Sequence, residues 1–285
     1  MSEKGSKVGR VSCLSDLKAL VEAGWHPANY KRLSSQFYEW SEDLGYVVGV
    51  AFGDGSPRAS NHGFRLDVTD VEFRDKFARA FSKLGWEPKC YFIKDVRYRG
   101  GGKYRARINS MALVRYFRYF PLRSILDSPL AAKRGFLKGI FDSEGCVVCK
   151  LAKGEMSRYV ALSNQSIELL EICQVLLRGF GIGSHLVLSN HKGTVNRAGN
   201  REFNLAKDTF RLQIYGRRSL TRFAENIGFS IPRKALVLRR LVESYCSPEE
   251  IGFKNSLPNS LRGSWRDLFN FSSAARAIQL QGEGR

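Results

Sequence analysis

An internal repeat constrains the fold of this chain more than any other feature of its sequence. The segment LGYVVGVAFGDGS starts at residue 44, and RGFLKGIFDSEGC starts 90 residues later, at residue 134. This offset aligns small or acidic residues in pairs: Gly45 with Gly135, Gly49 with Gly139, Gly53 with Ser143, and Asp54 with Glu144. So many matches in type and spacing indicate a duplicated unit.

Two further pairs of segments extend the repeat. Residues 68–85 match 164–181, where each segment has a polar helix start, apolar positions at helical spacing and a terminal glycine. Residues 103–117 match 209–223, where a strand leads into a helix. Because the offset grows from 90 to 96 and then to 106, we expect insertions in loops of the second unit. The order helix, strands, helix, strands, helix predicts an α+β fold in two pseudo-symmetric halves.

These matches set the expected domain boundaries. The first repeat is placed at residues 44–132 and the second at 133–245. Residues 1–43 are predicted to be a helical extension, with a helix over residues 16–23. Residues 246–285 are rich in Ser, Asn and Gly, which predicts a partly ordered C-terminal extension.

The repeated glycines predict how the two halves meet. On a helix, Gly45, Gly49 and Gly53 fall at positions i, i+4 and i+8 and form one stripe that lacks side chains. Glycine inside a helix costs about 0.5 to 1 kcal/mol relative to alanine, so two such stripes need a structural reason. Close packing of helices supplies one. We therefore expect the two repeat helices to pack stripe against stripe on a pseudo-twofold axis.

The paired acids predict a metal site. Asp54 and Glu144 are expected in the last turns of their helices, just before Gly55 and Gly145 as C-caps. A helix C-terminus carries partial negative charge, and two carboxylates at one junction also repel each other. Divalent cations would relieve both effects, and hard oxygen ligands beside a polyanion favour Mg²⁺. The alternative for one acid taken alone is an ordinary Asp-Gly turn.

The charge of the chain favours a polyanionic partner. Lysine and arginine total 46 against 27 acids, which gives a formal net charge of +19. Nucleic acid is the expected partner, and a basic protein without such a ligand is the alternative. No segment predicts a basic amphipathic helix or a membrane span, and no signal-peptide pattern occurs, so we expect a cytoplasmic protein with no membrane partner. Its six cysteines are expected to be reduced thiols.

Basic and polar residues are concentrated in the predicted strands. Alternate residues of a strand share a face, so these side chains can line one side of a two-stranded ribbon, which the DNA major groove admits. The predicted DNA-binding residues are Arg58, Asn61, Arg65, Lys94, Arg97, Arg99, Lys103, Arg105, Arg107, Lys150, Lys153, Arg158, Asn190, Lys192, Arg197, Arg201, Arg211 and Gln213. For any one of them, the alternative is a solvated sheet face. Cys146 and Cys149 are not interpreted as a metal site, because residues i and i+3 of a strand face opposite sides.

The segments VVGVAFGDG (47–55) and LKGIFDSEG (137–145) resemble the two signature copies of LAGLIDADG homing endonucleases in their single-chain form. The resemblance covers about residues 40 to 245. It implies two αββαββα halves whose antiparallel sheets form a saddle on double-stranded DNA. It also implies that Asp54 and Glu144, with the backbone of Gly53 and Ser143, hold divalent metal. Mg²⁺ is expected, with Mn²⁺ as a substitute and Ca²⁺ binding without supporting cleavage.

The resemblance suggests supporting residues as well. Gln165 matches a polar residue that the family often has before a helix, and the repeat places Thr69 opposite it. Lys133 and Lys234 are candidates for a basic residue near the scissile phosphate; Arg134 and Arg233 are rivals, and solvated charges at helix starts are the alternative. Phe52 interrupts the family's other acid position in the first copy, so we interpret Asp142 as structural.

The function implied by the resemblance is site-specific cleavage of both DNA strands at a long asymmetric target. The chain would act as a monomer with no protein partner, through metal-activated water. An intron- or intein-derived mobile element is implied, and the lack of a flanking protein-splicing signature favours intron encoding. Two alternatives are an RNA-binding maturase of the same fold, with intron RNA as its partner, and a DNA-binding regulator that does not cleave.

Overall fold

Helices alternate with antiparallel strands in the order predicted for two repeats. The computed structural model of the chain describes residues 11–23, 32–58, 63–96, 101–152, 155–198 and 201–245. Its α-helices are α1 (Leu14–Ala23), α2 (Glu42–Phe52), α3 (Val71–Lys83), α4 (Met111–Arg118), α5 (Leu130–Glu144), α6 (Ile167–Gly179), α7 (Arg217–Asn226) and α8 (Pro232–Glu243). Two 3-10 helices, Ser35–Tyr38 and Leu122–Asp127, precede α2 and α5.

Each repeat contributes one four-stranded antiparallel sheet. The strands are β1 (Ser56–Arg58), β2 (Gly63–Val68), β3 (Lys89–Lys94), β4 (Gly102–Asn109), β5 (Gly145–Ala152), β6 (Glu155–Asn164), β7 (His185–Asn190), β8 (Val195–Ala198), β9 (Arg201–Asn204) and β10 (Thr209–Tyr215). The first sheet has the order β1-β2-β4-β3 and the second has the equivalent order β5-β6-β10-β7. The hairpin β8-β9 lies between β7 and β10, so it supplies the insertion expected in the second unit. The predicted α+β fold of two αββαββα repeats is confirmed.

Helices α2 and α5 pack against each other in parallel along their glycine stripes. A Cβ atom added at each of four glycines would overlap a backbone carbonyl oxygen of the other helix: Gly45 meets Ala132, Gly49 meets Phe136, Gly135 meets Glu42, and Gly139 meets Tyr46. The predicted stripe-to-stripe contact is therefore present. Its consequence is that the C-terminal ends of the two helices lie side by side.

The sheets have one buried and one outward face because their side chains alternate. In β2, Phe64 and Leu66 are buried, and in β4 so are Ala106 and Ile108; these residues pack in the hydrophobic core with α3 and α4. The intervening residues of β2 and β4 point to the outward face. Among the described residues, no helix has the length and apolar character needed to cross a membrane.

The N-terminal segment packs against the first repeat. Leu17 and Phe37 are fully buried, and the hydroxyl of Tyr116 in α4 donates a hydrogen bond of 2.6 Å to the carbonyl oxygen of Phe37. Helix α1 begins at Leu14, two residues before the predicted position. The predicted C-terminal extension, residues 246–285, lies outside the described residues.

Both repeats begin slightly earlier than the expected boundaries at residues 44 and 133. Helix α2 begins at Glu42 because the side chain of Ser41 accepts a hydrogen bond from the backbone of Leu44 and caps the helix. Helix α5 begins at Leu130, after Pro129. The signature helices are therefore longer at their N-terminal ends than the repeat matches indicated.

Candidate functional site

The two acids of the repeat lie at the adjacent C-terminal ends of α2 and α5. Glu144 is the last residue of α5, and Gly145 is its C-cap. Helix α2 ends at Phe52 with Gly53 as its C-cap, and the amide of Gly53 donates to the carbonyl oxygens of Gly49 and Val50. Asp54 therefore lies beyond the helix. The expectations that Asp54 occupies the last turn and that Gly55 is the C-cap are wrong, because α2 is capped two residues earlier.

The two carboxyl groups influence each other electrostatically. Desolvation by the surrounding protein, followed by the charge of Asp54, raises the pKa of Glu144 to about 7. Desolvation also raises the pKa of Asp54, although its side chain still reaches solvent, while the charge of Lys234 acts in the opposite direction. A cation binding between these groups would offset the repulsion by Asp54, which is the smaller of the two causes that raise the pKa of Glu144.

Lys234 of α8 lies at this junction. Its Nζ donates hydrogen bonds to the carbonyl oxygens of Asp142 at 2.6 Å and Phe141 at 3.4 Å. These carbonyls belong to the last turn of α5, where a cation complements the helix dipole. The carbonyl oxygen of Phe141 also accepts from the backbone amide of Gly145. Burial lowers the pKa of Lys234. The structure therefore brings Lys234 together with Asp54 and Glu144.

Asp142 connects three elements beneath the site. It is 1% exposed; its Oδ2 accepts from the hydroxyl of Tyr46 at 3.0 Å and its Oδ1 accepts from the amide of Ser230 at 2.8 Å. Burial raises its pKa, although both hydrogen bonds oppose this. These contacts link α2, α5 and the segment before α8, so Asp142 is structural, as interpreted from the sequence.

A cavity of about 250 Å³ opens beside Asp54 and Lys234. Its lining includes Thr69, Asp70 and Arg233. The guanidinium of Arg233 donates to both carboxylate oxygens of Asp70, at 2.6 and 2.8 Å, and so joins α8 to the start of α3. Because Asp70 makes this ion pair, its side chain forms no capping bond at the N-terminus of α3.

Two other predicted catalytic residues, Lys133 and Gln165, do not join the acids as Lys234 does. Lys133 lies in the first turn of α5, eleven residues before Glu144, which is about 16 Å along a helix axis. Its assignment to the site is wrong, because the parallel helices place their N-terminal ends away from both acids. Gln165 is exposed between β6 and α6, at the position equivalent to Thr69, and it is not part of the cavity lining.

The predicted basic ribbon of the first repeat is present on the outward face of the first sheet. Arg65, Lys103, Arg105 and Arg107 share this face, where Arg65 is paired with Arg107 across β2 and β4. Lys94 does not share it. In β3 it is paired with Gly102, one residue out of phase with Lys103, so strand alternation turns it to the opposite face.

The second sheet presents fewer of the predicted residues on its outward face. Arg211 and Gln213 of β10 lie there, and the guanidinium of Arg211 donates to the hydroxyl of Ser163 at 3.3 Å. The prediction that Arg158 lies on this outward face is wrong. Arg158 shares the opposite face of β6 with the buried Val160, and its guanidinium lies 4.5 Å from the ring centre of Tyr245.

The remaining predicted contacts have different positions. Asn190 ends β7, and Lys192 lies in the next turn, where its amide donates to Asp208 at 2.6 Å. The structure describes the backbone but not the side chains of Arg58, Lys150, Arg197 and Arg201. Four further predicted residues lie outside the described residues: Asn61, Arg97, Arg99 and Lys153. In the second sheet, Cys146 is exposed on one face of β5, and Cys149 is half-buried on the other, as the spacing of this pair predicts.

Sequence reasoning missed two residues of the first sheet. Asp67 of β2 lies among the cations of the outward face, with its carboxylate 3.2 Å from Nζ of Lys103, and Tyr91 of β3 is paired with Arg105. The signal for Asp67 was present in the sequence, since a single acid two residues after Arg65 shares that basic face.

The donor set fits a metal that is shared with a bound phosphate. In the described part of the chain, no three His, Cys, Asp or Glu side chains cluster as a metal site. Asp54 and Glu144 supply two carboxylates, and the backbone of Gly53 and Ser143 lies beside them. Since hard divalent cations require about six oxygen ligands, phosphate and water oxygens would complete the shell.

Comparison with known proteins finds similarity over the second repeat and, in several relatives, over most of the chain. Residues 131–228 match the family model described as LAGLIDADG-like domain. The uncharacterized protein MJ0398 of Methanocaldococcus jannaschii is 28% identical over 208 residues, which is 72% of this chain and 73% of that protein. The probable translation initiation factor IF-2 of Thermococcus kodakarensis is 28% identical over 79% of this chain but only 18% of its own length.

One similar solved structure is that of I-DmoI in complex with DNA and Ca. It is 19% identical, with a TM-score of 0.48, and the match covers 71% of this chain and 99% of that chain. The match to the family model covers residues 131–228, which contain the second acidic signature and the second sheet. This part of the chain is therefore similar to a LAGLIDADG-like domain.

Proposed function

We propose that this protein is a site-specific DNA endonuclease that hydrolyses both strands of a duplex with a divalent metal. The observation that carries the proposal is the convergence of Asp54 and Glu144 at the ends of two parallel helices. Each acid comes from a different repeat, and each repeat contributes one antiparallel sheet. Two strands of a duplex that crosses this junction would therefore each meet one acid.

The charge distribution supports DNA as the substrate. The outward face of the first sheet carries Arg65, Lys103, Arg105 and Arg107, and that of the second sheet carries Arg211 and Gln213. A formal net charge of +19 favours a polyanion over a neutral substrate. Arg and Gln side chains on a sheet are suited to hydrogen-bonding base edges in the major groove.

The chain's own residues supply most of the site. Asp54 and Glu144, with the backbone of Gly53 and Ser143, would hold Mg²⁺ or Mn²⁺. A bound cation would lower the pKa of a coordinated water and stabilise charge on the phosphate. Lys234, fixed by the carbonyl oxygens at the end of α5, places a positive charge where the phosphate would enter. The ion pair between Arg233 and Asp70 holds the start of α8, and with it Lys234, in that position.

A mobile origin is the second part of the proposal. The matches in the translation initiation factor of Thermococcus kodakarensis and in elongation factor 2 of Methanopyrus kandleri cover 79% and 83% of this chain, but 18% and 17% of those proteins. A module of this size inside two different translation factors supports an element that inserts into host proteins. An intron-encoded element would be removed with its intron and would leave no such segment in a host protein, so these matches favour a protein-embedded origin over the intron encoding expected from the sequence.

Cleavage of a randomised DNA library in Mg²⁺, followed by sequencing of the new ends, tests the proposal. We expect cuts at one long asymmetric sequence, with both strands cut. Asp54→Asn and Glu144→Gln should abolish cutting and retain duplex binding in Ca²⁺, since binding depends on many phosphate contacts. Asp127→Asn is the matched control, because this exposed residue lies at the end of a 3-10 helix and its change alters net charge equally.

Three results would contradict the assignment. Full cutting by Asp54→Asn or Glu144→Gln would remove these acids from the reaction. Failure of the unmodified protein to cut any duplex, together with tighter binding to structured intron RNA than to DNA, would favour a maturase. Specific duplex binding without cutting would favour a DNA-binding regulator.

A further inference from the structure

We propose that Asp67 sets the base preference of the first repeat by holding Arg105 in position to read a guanine. The inference rests on the proposed function, because it requires duplex DNA on the outward face of the first sheet. It adds a residue that sequence reasoning did not identify, and it specifies the base that one contact recognises.

Arg105 is held from both neighbouring strands. On the β2 side, its Nε donates to Oδ1 of Asp67 at 2.5 Å, and its Nη2 donates to Oδ2 at 2.7 Å. On the β3 side, the ring centre of Tyr91 lies 6.0 Å from the guanidinium carbon. Asp67 and Tyr91 are the direct cross-strand partners of Arg105 in the sheet. The side chain of Arg105 is 16% exposed, so these partners restrict it to few conformations.

The ion pair leaves the recognition edge of Arg105 available. A guanidinium has five N–H donors, and Asp67 accepts two of them along the edge formed by Nε and Nη2. Three N–H donors remain beyond the two that Asp67 accepts, and the end formed by Nη1 and Nη2 carries a parallel pair of them beside the side chain of Tyr91, which also interacts with Arg105. That pair matches the two major-groove acceptors of guanine, O6 and N7, whereas adenine presents one acceptor and one donor. A positioned Arg105 therefore favours G·C over A·T.

Asp67 is suited to a positioning role. Partial burial alone would raise its pKa, but hydrogen bonds from Arg105 and Lys103 outweigh that effect and lower the pKa. The carboxylate therefore stays ionised at neutral pH and holds both cations. As an acid on a basic face, it also opposes phosphate binding, so it would weaken an interface whose purpose was general affinity. Its presence there favours selectivity over strength of binding.

The expected base pair lies close to the reacting phosphate. Asp67 lines the same cavity as Asp54 and Lys234, so the pair formed by Asp67 and Arg105 stands beside the proposed metal site. The guanine it reads would occupy the part of the first half-site nearest the cut. Positions farther from the cut would be read by the outer parts of the sheet.

A binding profile in Ca²⁺ tests the inference without requiring cleavage. The probe is a duplex selected from a randomised library by binding to the unmodified protein in Ca²⁺, with each base pair then changed in turn. Relative binding is measured for the unmodified protein and for Asp67→Asn and Arg105→Lys. A bidentate contact is worth about 1 to 3 kcal/mol, so the unmodified protein should prefer guanine by about 5-fold to 150-fold at one central position. Both variants should lose that preference at the same position.

The two variants separate positioning from charge. Asp67→Asn should bind unrelated duplexes more tightly while its guanine preference falls, because a negative charge leaves the face. Arg105→Lys keeps the charge and loses only the fork of donors. Asp75→Asn is the matched control, because Asp75 accepts from Arg74 at 2.8 and 2.6 Å within α3, away from the outward face. Its profile should equal that of the unmodified protein.

Three outcomes would overturn the inference. The first is an unchanged guanine preference in Asp67→Asn, with affinity altered equally for all sequences. The second, which applies even if Asp67→Asn does not fold, is a full guanine preference in Arg105→Lys. The third is absence of duplex binding by the unmodified protein, which would also remove the proposed function. A protein that shows the expected profile but does not cut would contradict only the nuclease assignment.

Discussion

Replacing Gly139 by alanine should destabilise the protein, although alanine is the better helix former. Gly139 lies in the interior of α5, and an added Cβ would overlap the carbonyl oxygen of Tyr46 and lie 3.0 Å from the backbone nitrogen of Val50. Both atoms belong to the backbone of α2. Neither can rotate aside as a flexible side chain would, so the two helices must separate.

The magnitude follows from two opposing contributions. Overpacking a core costs about 1 to 3 kcal/mol, and a clash with rigid backbone belongs at the upper end, about 3 kcal/mol. Alanine returns about 1 kcal/mol of helix propensity. The free energy of unfolding should therefore fall by about 2 kcal/mol, which corresponds to about 4 to 8 °C in the melting temperature of a chain of this size.

Gly179→Ala is the matched control, because Gly179 ends α6 and an added Cβ there would have no neighbour within 4 Å. Thermal unfolding followed by circular dichroism should show this variant at or slightly above the parent temperature. The reasoning would be refuted if Gly139→Ala melted at or above the parent protein, because the glycine stripe would then not define the contact between the repeats.

Two further predictions concern buried charge at the same contact. Because the pKa of Glu144 is raised from 4.5 to about 7, the folded state binds more protons than the unfolded state between these values, and stability should fall as the pH rises from about 4.5 to about 7. Glu144→Gln should remove that part of the decline. The measurement is the denaturant midpoint as a function of pH in EDTA, and an identical pH dependence for the parent protein and Glu144→Gln would contradict this prediction. Tyr46→Phe should lower the free energy of unfolding by about 1 to 3 kcal/mol, because it deprives the buried carboxylate of Asp142 of a donor. Tyr116→Phe is the control, because it loses a hydrogen bond to a neutral carbonyl, and its free energy of unfolding should fall by less. Equal falls in the free energy of unfolding, measured by urea titration, would argue against a charged Asp142.

The features that repeat at short range were predictable from the sequence. The glycines of α2 and α5 follow from spacing alone, since a stripe at i, i+4 and i+8 has few uses other than close helix packing. The outward positions of Arg105 and Arg107 follow from the alternation of a strand. The two-sheet architecture follows from the three matched segments, and the growing offset located the extra hairpin between β7 and β10.

Features that depend on exact registers or on long-range contacts were not predictable. Lys94 and Arg158 were assigned to the wrong face because one residue of register reverses a side chain, and no local signal fixed those registers. Lys133 and Lys234 could not be separated, since both lie near a helix start in the sequence. Only the fold shows that Lys234 reaches the C-terminal end of α5, whereas Lys133 lies in the first turn of that helix, eleven residues before Glu144.

The contact between α2 and α5 makes the spacing of the two acids independent of the sheet residues that would contact DNA. At Gly45, Gly49, Gly135 and Gly139 the backbones meet without intervening side chains, so the spacing of the two acids is a main-chain dimension. Surface substitutions on either sheet leave the spacing of the two acids unchanged. Under the proposed function, the target sequence could diverge one base pair at a time while the stagger between the two cuts stays constant. A change of stagger would require the loss of a glycine, and with it the closeness of the two halves.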